Sequence, residues 1–187
     1  MNKAIFVDKD GTLIVDIPYN TDPSLIQFQE GALKSLKILQ DRGYLIIIVS
    51  NQSGLSKGYF KEEDLECVKN AIEQRLLNAN VKLSGFYFCP HHPEGTILRY
   101  AQRCDCRKPL PGMLLKAAQD FDIDLTRSWM IGNTVTDIEA GKRAGCFTIL
   151  INNQGNLKIS DRSKAPTLVA QSIGDIGSFI LKDTRVS

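Results

Sequence analysis

Five short apolar runs, rich in β-branched and aromatic residues, constrain this chain more than any other feature: AIFV at 4–7, YLIIIVS at 44–50, GFYFC at 85–89, SWMIG at 128–132 and CFTILI at 146–151. The runs at 44–50 and 128–132 do not alternate polar with apolar residues, so strands built from them need cover on both faces. Between the runs lie stretches of helical periodicity. Ala32, Leu33, Leu36 and Leu39 mark one, and Leu65, Val68, Ile72 and Leu76 another. Strands alternating with helices of this length imply βαβ units and a parallel sheet. The expected fold is a three-layer, doubly wound α/β domain of Rossmann-like type, one domain over residues 1–187 with no large cap domain.

Helices are expected over 31–41, 61–77, 112–120, from just after Asp137, and over 172–182 with Ser172 as N-cap. KEEDLE at 61–66 reads as a solvated first helical turn, and the polar stretch 152–166 as a surface loop. At 43% hydrophobic and 24% charged residues, with a formal charge of +2, the composition excludes a disordered, coiled-coil or nucleic-acid-coating chain. Only four apolar residues in a row precede Asp8, and no run reaches membrane-spanning length. The expectation is a cytoplasmic monomer with neither nucleic acid nor membrane as partner.

Ligands of such sheets bind beyond the carboxyl ends of the strands, where chain direction switches. Asp8 and Asp10 fall at that end of the first run. A D-x-D spacing on extended chain points both carboxylates the same way, and Gly11 lets the backbone turn off sharply. An Asx turn capping the strand is the plainer alternative. SNQSG at 50–54 follows the second strand, so Ser50 and Asn51 can offer a hydroxyl and backbone N–H groups to phosphoryl oxygens. CRKPLPG at 106–112 places Arg107 and Lys108 before two prolines and a helix, and the planar fork of Arg107 suits a phosphate.

CPHHPEGTILRYAQRCDC, 89–106, holds three of the five cysteines and both histidines. A C-x-H pair and a C-x-C pair separated by a twelve-residue loop can supply a tetrahedral Zn2+ site, with Cys89, His91, Cys104 and Cys106 as ligands and His92 free. A disulfide or an inert thiol cluster is the alternative reading. Structural zinc is favoured because the loop carries too few apolar residues to hold itself. Cys67 and Cys146 are expected to be core thiols.

FVDKDGTL resembles the D-x-D-G-T signature of haloacid dehalogenase superfamily phosphatases, and VSNQSG, CRKP and GNTVTD extend the similarity to about residue 150. The resemblance implies that Asp8 is a nucleophile forming an aspartyl-phosphate. It makes Asp10 the acid and then the base, and gives Lys108 the charge of the transferring phosphoryl group. A catalytic Mg2+ would be held by Asp8, Asp10, residue 133 and Asp137. Position 133 is an acid in the family pattern and Asn133 here. An amide still offers an oxygen but removes a charge from a hard-cation site, so reduced activity is expected.

The zinc loop is similar to that of a subgroup comprising D-glycero-D-manno-heptose 1,7-bisphosphate phosphatases and histidinol phosphatases, with CPHHP and CDCRKP closer to the former. The implied substrate is a small phosphorylated sugar, gripped by Arg107, Ser53 and Lys57. Thr134 stands where heptose enzymes often carry Lys, so histidinol phosphate, or a slow phosphosugar-binding protein, stays open as a rival reading.

Overall fold

A computed structural model describes residues 1–152 and 164–183. Six strands form one sheet: β1 (Lys3–Val7), β2 (Tyr44–Asn51), β3 (Leu83–Cys89), β4 (Trp129–Gly132), β5 (Phe147–Ile151) and β6 (Leu168–Ala170). Their order is β3-β2-β1-β4-β5-β6, and every neighbouring pair is parallel. The helices are α1 (Ala32–Asp41), α2 (Gly54–Lys57), α3 (Glu62–Asn78), α4 (Gly112–Asp120), α5 (Val135–Ala144) and α6 (Ile176–Lys182).

The non-alternating runs are explained by two cores. Ile5, Val7, Ile46, Ile48 and Ile131 point to one face, where Leu36 of α1, Ile72 of α3 and Ile176 of α6 pack on them. Ala4, Phe6, Ile47, Val49 and Met130 point to the other, against Leu114 and Ala117 of α4 and Ala140 of α5. Alternate residues of each strand thus enter opposite apolar layers, as in any sheet covered on both sides.

Strand order reverses at β1, which has β2 on one side and β4 on the other. The register pairs Val7 with Ile48 and with Ile131, and the Asp8 amide still donates to the Ile131 carbonyl at 2.9 Å. Asp8, Ser50 and Asn133 therefore leave the sheet side by side at a topological switch point.

Four details differ from the sequence reading. Helix α5 begins at Val135, before Asp137, because Thr134 and Asp137 form a capping box that starts the helix there. The last helix opens as a 3-10 turn, Ile173–Asp175, after a second capping box from Ser172 to Asp175. Strand β6 and the single turn α2 were not expected; segments of three and four residues carry no readable period. Cys67 is exposed, since it lies off the Leu65–Val68–Ile72–Leu76 stripe of α3, whereas Cys146 is buried. Most of the stretch 152–166, read as a surface loop, lies outside the described residues.

Candidate active site

At the carboxyl end of β1, Asp8 meets Lys108. The ammonium lies 2.5 Å from Asp8 Oδ1, 2.7 Å from Asp137 Oδ1 and 2.9 Å from the Val49 carbonyl, so three acceptors hold it in a buried position. Burial would lower the Lys108 pKa, but Asp8 and Asp137 outweigh it and hold the amine charged. Burial pushes the Asp8 carboxyl up to about 7; Asp137 and Asp10 add to this and Lys108 opposes it. One ammonium does not cancel the negative charge collected here.

Asp137, expected as a metal ligand, meets Lys108. Its Oδ1 faces Lys108, while Oδ2 accepts from the Thr134 backbone at 3.0 Å and the Thr134 hydroxyl at 2.6 Å. Gly132 makes this possible, because a Cβ there would lie 2.3 Å from the Asp137 side chain. Both carboxylate oxygens have partners, and one of them anchors Lys108.

Asn51 is also spent on Lys108. Its amide donates to the Lys108 carbonyl and accepts from the Lys108 backbone N–H, both at 3.1 Å. The side chain clamps the cation-bearing segment, while the residue also lines the cavity. Ser50 is buried, and its Oγ accepts from Gln52 Nε2 at 2.7 Å, which leaves the hydroxyl proton for another acceptor.

Gln52 was not singled out from sequence. The same Nε2 donates to Asp10 Oδ2 at 3.0 Å, and buried Lys9 reaches Asp10 Oδ1 at 3.0 Å. Asp10 is thereby held by both oxygens. Asn133 leaves β4 beside Asp8, accepts a 3.3 Å hydrogen bond from Thr12 Oγ1 and lies over Gly11, where a Cβ would meet it at 2.3 Å. Gly11 also needs its left-handed φ of 75°.

A cavity of ≈ 250 Å³ opens beside Asp10 and Gln52, lined also by Asp16, Tyr19, Asn51 and Ser53. Its volume suits a small polar ligand. Asp16 was also missed, and burial followed by the charge of Asp10 raises its pKa. Arg107 lines a different cavity of ≈ 310 Å³ with Arg103, Cys104 and Leu110, and donates to the His91 carbonyl at 3.3 Å. That bond ties the Lys108 segment to the cysteine loop.

In that loop, donor atoms of Cys89, His91, Cys104 and Cys106 all lie within 4.8 Å of one another. Cys106 Sγ is 3.0 Å from Cys89, 3.3 Å from Cys104 and 3.4 Å from His91 Nδ1. Cys89 pushes the Cys106 thiol down to about 5, with burial opposing and His91 and Cys104 assisting. Three converging sulfurs and one ring nitrogen could hold a tetrahedral Zn2+.

An HAD-hydrolase-like family model matches residues 105–176. The D-glycero-beta-D-manno-heptose-1,7-bisphosphate 7-phosphatase of Pasteurella multocida is 41% identical over 180 residues, covering 96% of this chain and 97% of the relative. The enzyme of that name from Escherichia coli K12 is 35% identical over 97% of this chain and 95% of its own. The chain belongs to the heptose-bisphosphatase family of haloacid dehalogenase-like phosphatases. A crystal structure of D,D-heptose 1,7-bisphosphate phosphatase from B. bronchiseptica, complexed with magnesium and phosphate, superposes with a TM-score of 0.80 at 26% identity, covering 96% and 98% of the two chains. A HAD-like phosphatase structure from Mesorhizobium loti gives 0.84 at 29% identity, over 96% and 86%.

Phosphatases of this family use Mg2+, and the oxygens of Asp8, Asp10 and Asn133 at two adjacent strand ends are a hard-donor set of the kind that ion takes. The uncancelled charge around Asp8 favours a cation there. No helix among the described residues is long and apolar enough to cross a membrane.

Proposed function

We propose that this phosphatase removes the 7-phosphate of D-glycero-beta-D-manno-heptose 1,7-bisphosphate through an aspartyl-phosphate on Asp8. The observation that carries the chemistry is the buried contact of Lys108 Nζ with Asp8 Oδ1 at 2.5 Å. It fixes a nucleophilic carboxylate beside a charge that can follow it onto the transferring phosphoryl group. The substrate rests on the named relatives, matched over nearly their full length.

Asp8, Asp10 and Asn133 would hold Mg2+, and Asp137 acts by anchoring Lys108. Bound Mg2+ would neutralise charge shared between phosphoryl oxygens and the nucleophile. Asp8 attacks phosphorus while the bond to the leaving oxygen breaks, and Asp10 gives that oxygen its proton. Asp10 then takes a proton from the water that attacks phosphorus, releasing phosphate and free Asp8. The Ser50 hydroxyl donates to a phosphoryl oxygen, and Gln52 keeps Asp10 in place for both half-reactions. Cys89, His91, Cys104 and Cys106 would hold a structural Zn2+, which fixes the loop and, through His91 and Arg107, the approach to Lys108. The molecule works as a cytoplasmic monomer.

Asn133 supports a second reading, a phosphosugar-binding protein with slow turnover, because the amide leaves one metal-facing group neutral. Phosphate release from the heptose bisphosphate and from histidinol phosphate, each with and without Mg2+, separates the readings. Mg2+-dependent release with the bisphosphate preferred is expected. Preference for histidinol phosphate overturns the substrate, and binding without release favours the second reading.

A further inference from the structure

The cavity has an acidic inner wall and a cationic rim that the reaction does not use. Lys57, at the end of α2, donates to the Tyr19 hydroxyl at 3.0 Å. Its ammonium lies 5.4 Å from the centre of the Tyr19 ring and 5.9 Å from that of Tyr59, and the two rings meet edge to face at 4.6 Å. Tyr19 lines the cavity, as do Ser53 and Gly54, from which α2 starts, so this ammonium stands at the cavity edge one helical turn beyond the Ser50 end.

Lys57, unlike Lys9 and Lys108, has no anion among the described residues. Lys108 is held by Asp8 and Asp137, and Lys9 by Asp10, whereas among the described residues neither Lys57 nor Arg107 pairs with a carboxylate. Arg107 lies close enough to act on Lys57 as a like charge. The Tyr19 hydroxyl and the neighbouring Tyr59 ring hold Lys57 in place without neutralising it. Tyr19 has a left-handed φ of 57°, a conformation that non-glycine residues adopt uncommonly and that is enriched at ligand clamps. While its oxygen accepts from Lys57, its own proton is left to donate.

We propose that Lys57 and the Tyr19 hydroxyl form the receptor for the second, non-reacting phosphate of a bisphosphate substrate. This deepens the reading above and rests on it. An arriving phosphate dianion takes a charged and a neutral hydrogen bond from groups already oriented, and no existing ion pair has to break. The pair sets specificity and takes no part in phosphoryl transfer.

The test compares kcat/KM for the heptose 1,7-bisphosphate with that for the corresponding 7-monophosphate, in wild-type protein and in Lys57→Met, which removes the charge and keeps an unbranched side chain of similar length. The bisphosphate-to-monophosphate ratio should fall about ten- to hundredfold, the worth of one charge-assisted hydrogen bond. The fall should appear in KM, with Lys57→Arg recovering most of it and Tyr19→Phe showing a smaller fall of the same kind. An unchanged ratio in a folded Lys57→Met overturns the proposal while leaving the substrate intact. A wild-type protein with no preference for the bisphosphate overturns the substrate reading, and this inference with it.

Discussion

Asp137 anchors Lys108: their carboxylate and ammonium lie 2.7 Å apart with side chains 2% exposed, and the other carboxylate oxygen closes the cap of α5. Asp137, expected as a metal ligand, thus couples the start of α5 to the position of the Lys108 ammonium.

Asp137→Asn should therefore impair both stability and turnover. Losing a hydrogen bond to a charged group commonly costs about 1.5–3 kcal/mol. Retention of the Thr134 cap by the amide, and of Asp8 as partner to Lys108, should keep the loss near the lower bound. Thermal unfolding should report that loss, and kcat should fall at least about tenfold. A variant with wild-type Tm and kcat would show that the contact is incidental.

Gln52→Leu removes the single amide nitrogen that joins Ser50 to Asp10. Misplacing a general acid matters most when the leaving group is poor. We expect kcat to fall about tenfold or more for a sugar phosphate, with a smaller fall for p-nitrophenyl phosphate. Equal losses on both substrates would point to a general disturbance of the pocket.

The Asp8 carboxyl, held up to about 7 by burial and neighbouring acids, must lose its proton before it can bind a cation or attack phosphorus. The charged form is the one lost as pH falls through that value. Apparent Mg2+ affinity should then weaken by roughly tenfold per pH unit below about 7 and level off above it. Mg2+ titrations at several pH values would show this slope, and a flat profile between pH 5 and 8 would contradict it.

Zinc removal should act on the loop and leave the sheet in place. One Zn2+ per chain is expected by metal analysis, lost in Cys106→Ser, with a lower Tm and faster proteolysis within 89–106. Tm and cleavage unchanged by chelation would mean that the loop holds itself.

Much of this architecture is legible in the sequence, for reasons that particular residues make plain. Runs such as Ile46–Val49 are apolar at every position because both faces of β2 are covered, and that pattern already implies helices on both sides. Asp8 and Asp10 could be found because a strand end and a glycine fix their direction. The cysteine loop was readable because its converging Cys and His residues are near neighbours in the chain. What escaped was coupling across distance. Gln52 meets Asp10 across 42 residues, and Asn51 meets Lys108 across 57, so no local pattern announces either contact. The Asp137 contact had a local signal in Thr134, three residues earlier, which marks a capping box. That spacing brings the carboxylate to the helix start. Likewise, the spacing of Leu65 and Val68 already places Cys67 off the buried stripe.

The central claim is that Asp8, Asp10 and Asn133 form an oxygen site for a catalytic cation whose strength is limited by the amide. It is tested most directly by phosphate release from the heptose bisphosphate as a function of Mg2+, in wild-type protein and in Asn133→Asp. The wild type should be slow and need abnormally high Mg2+. The added carboxylate should lower the Mg2+ requirement and raise kcat, by about a hundred- to a thousandfold if it restores one preorganised electrostatic group. A folded Asn133→Asp variant with unchanged rate and unchanged Mg2+ dependence would contradict the claim.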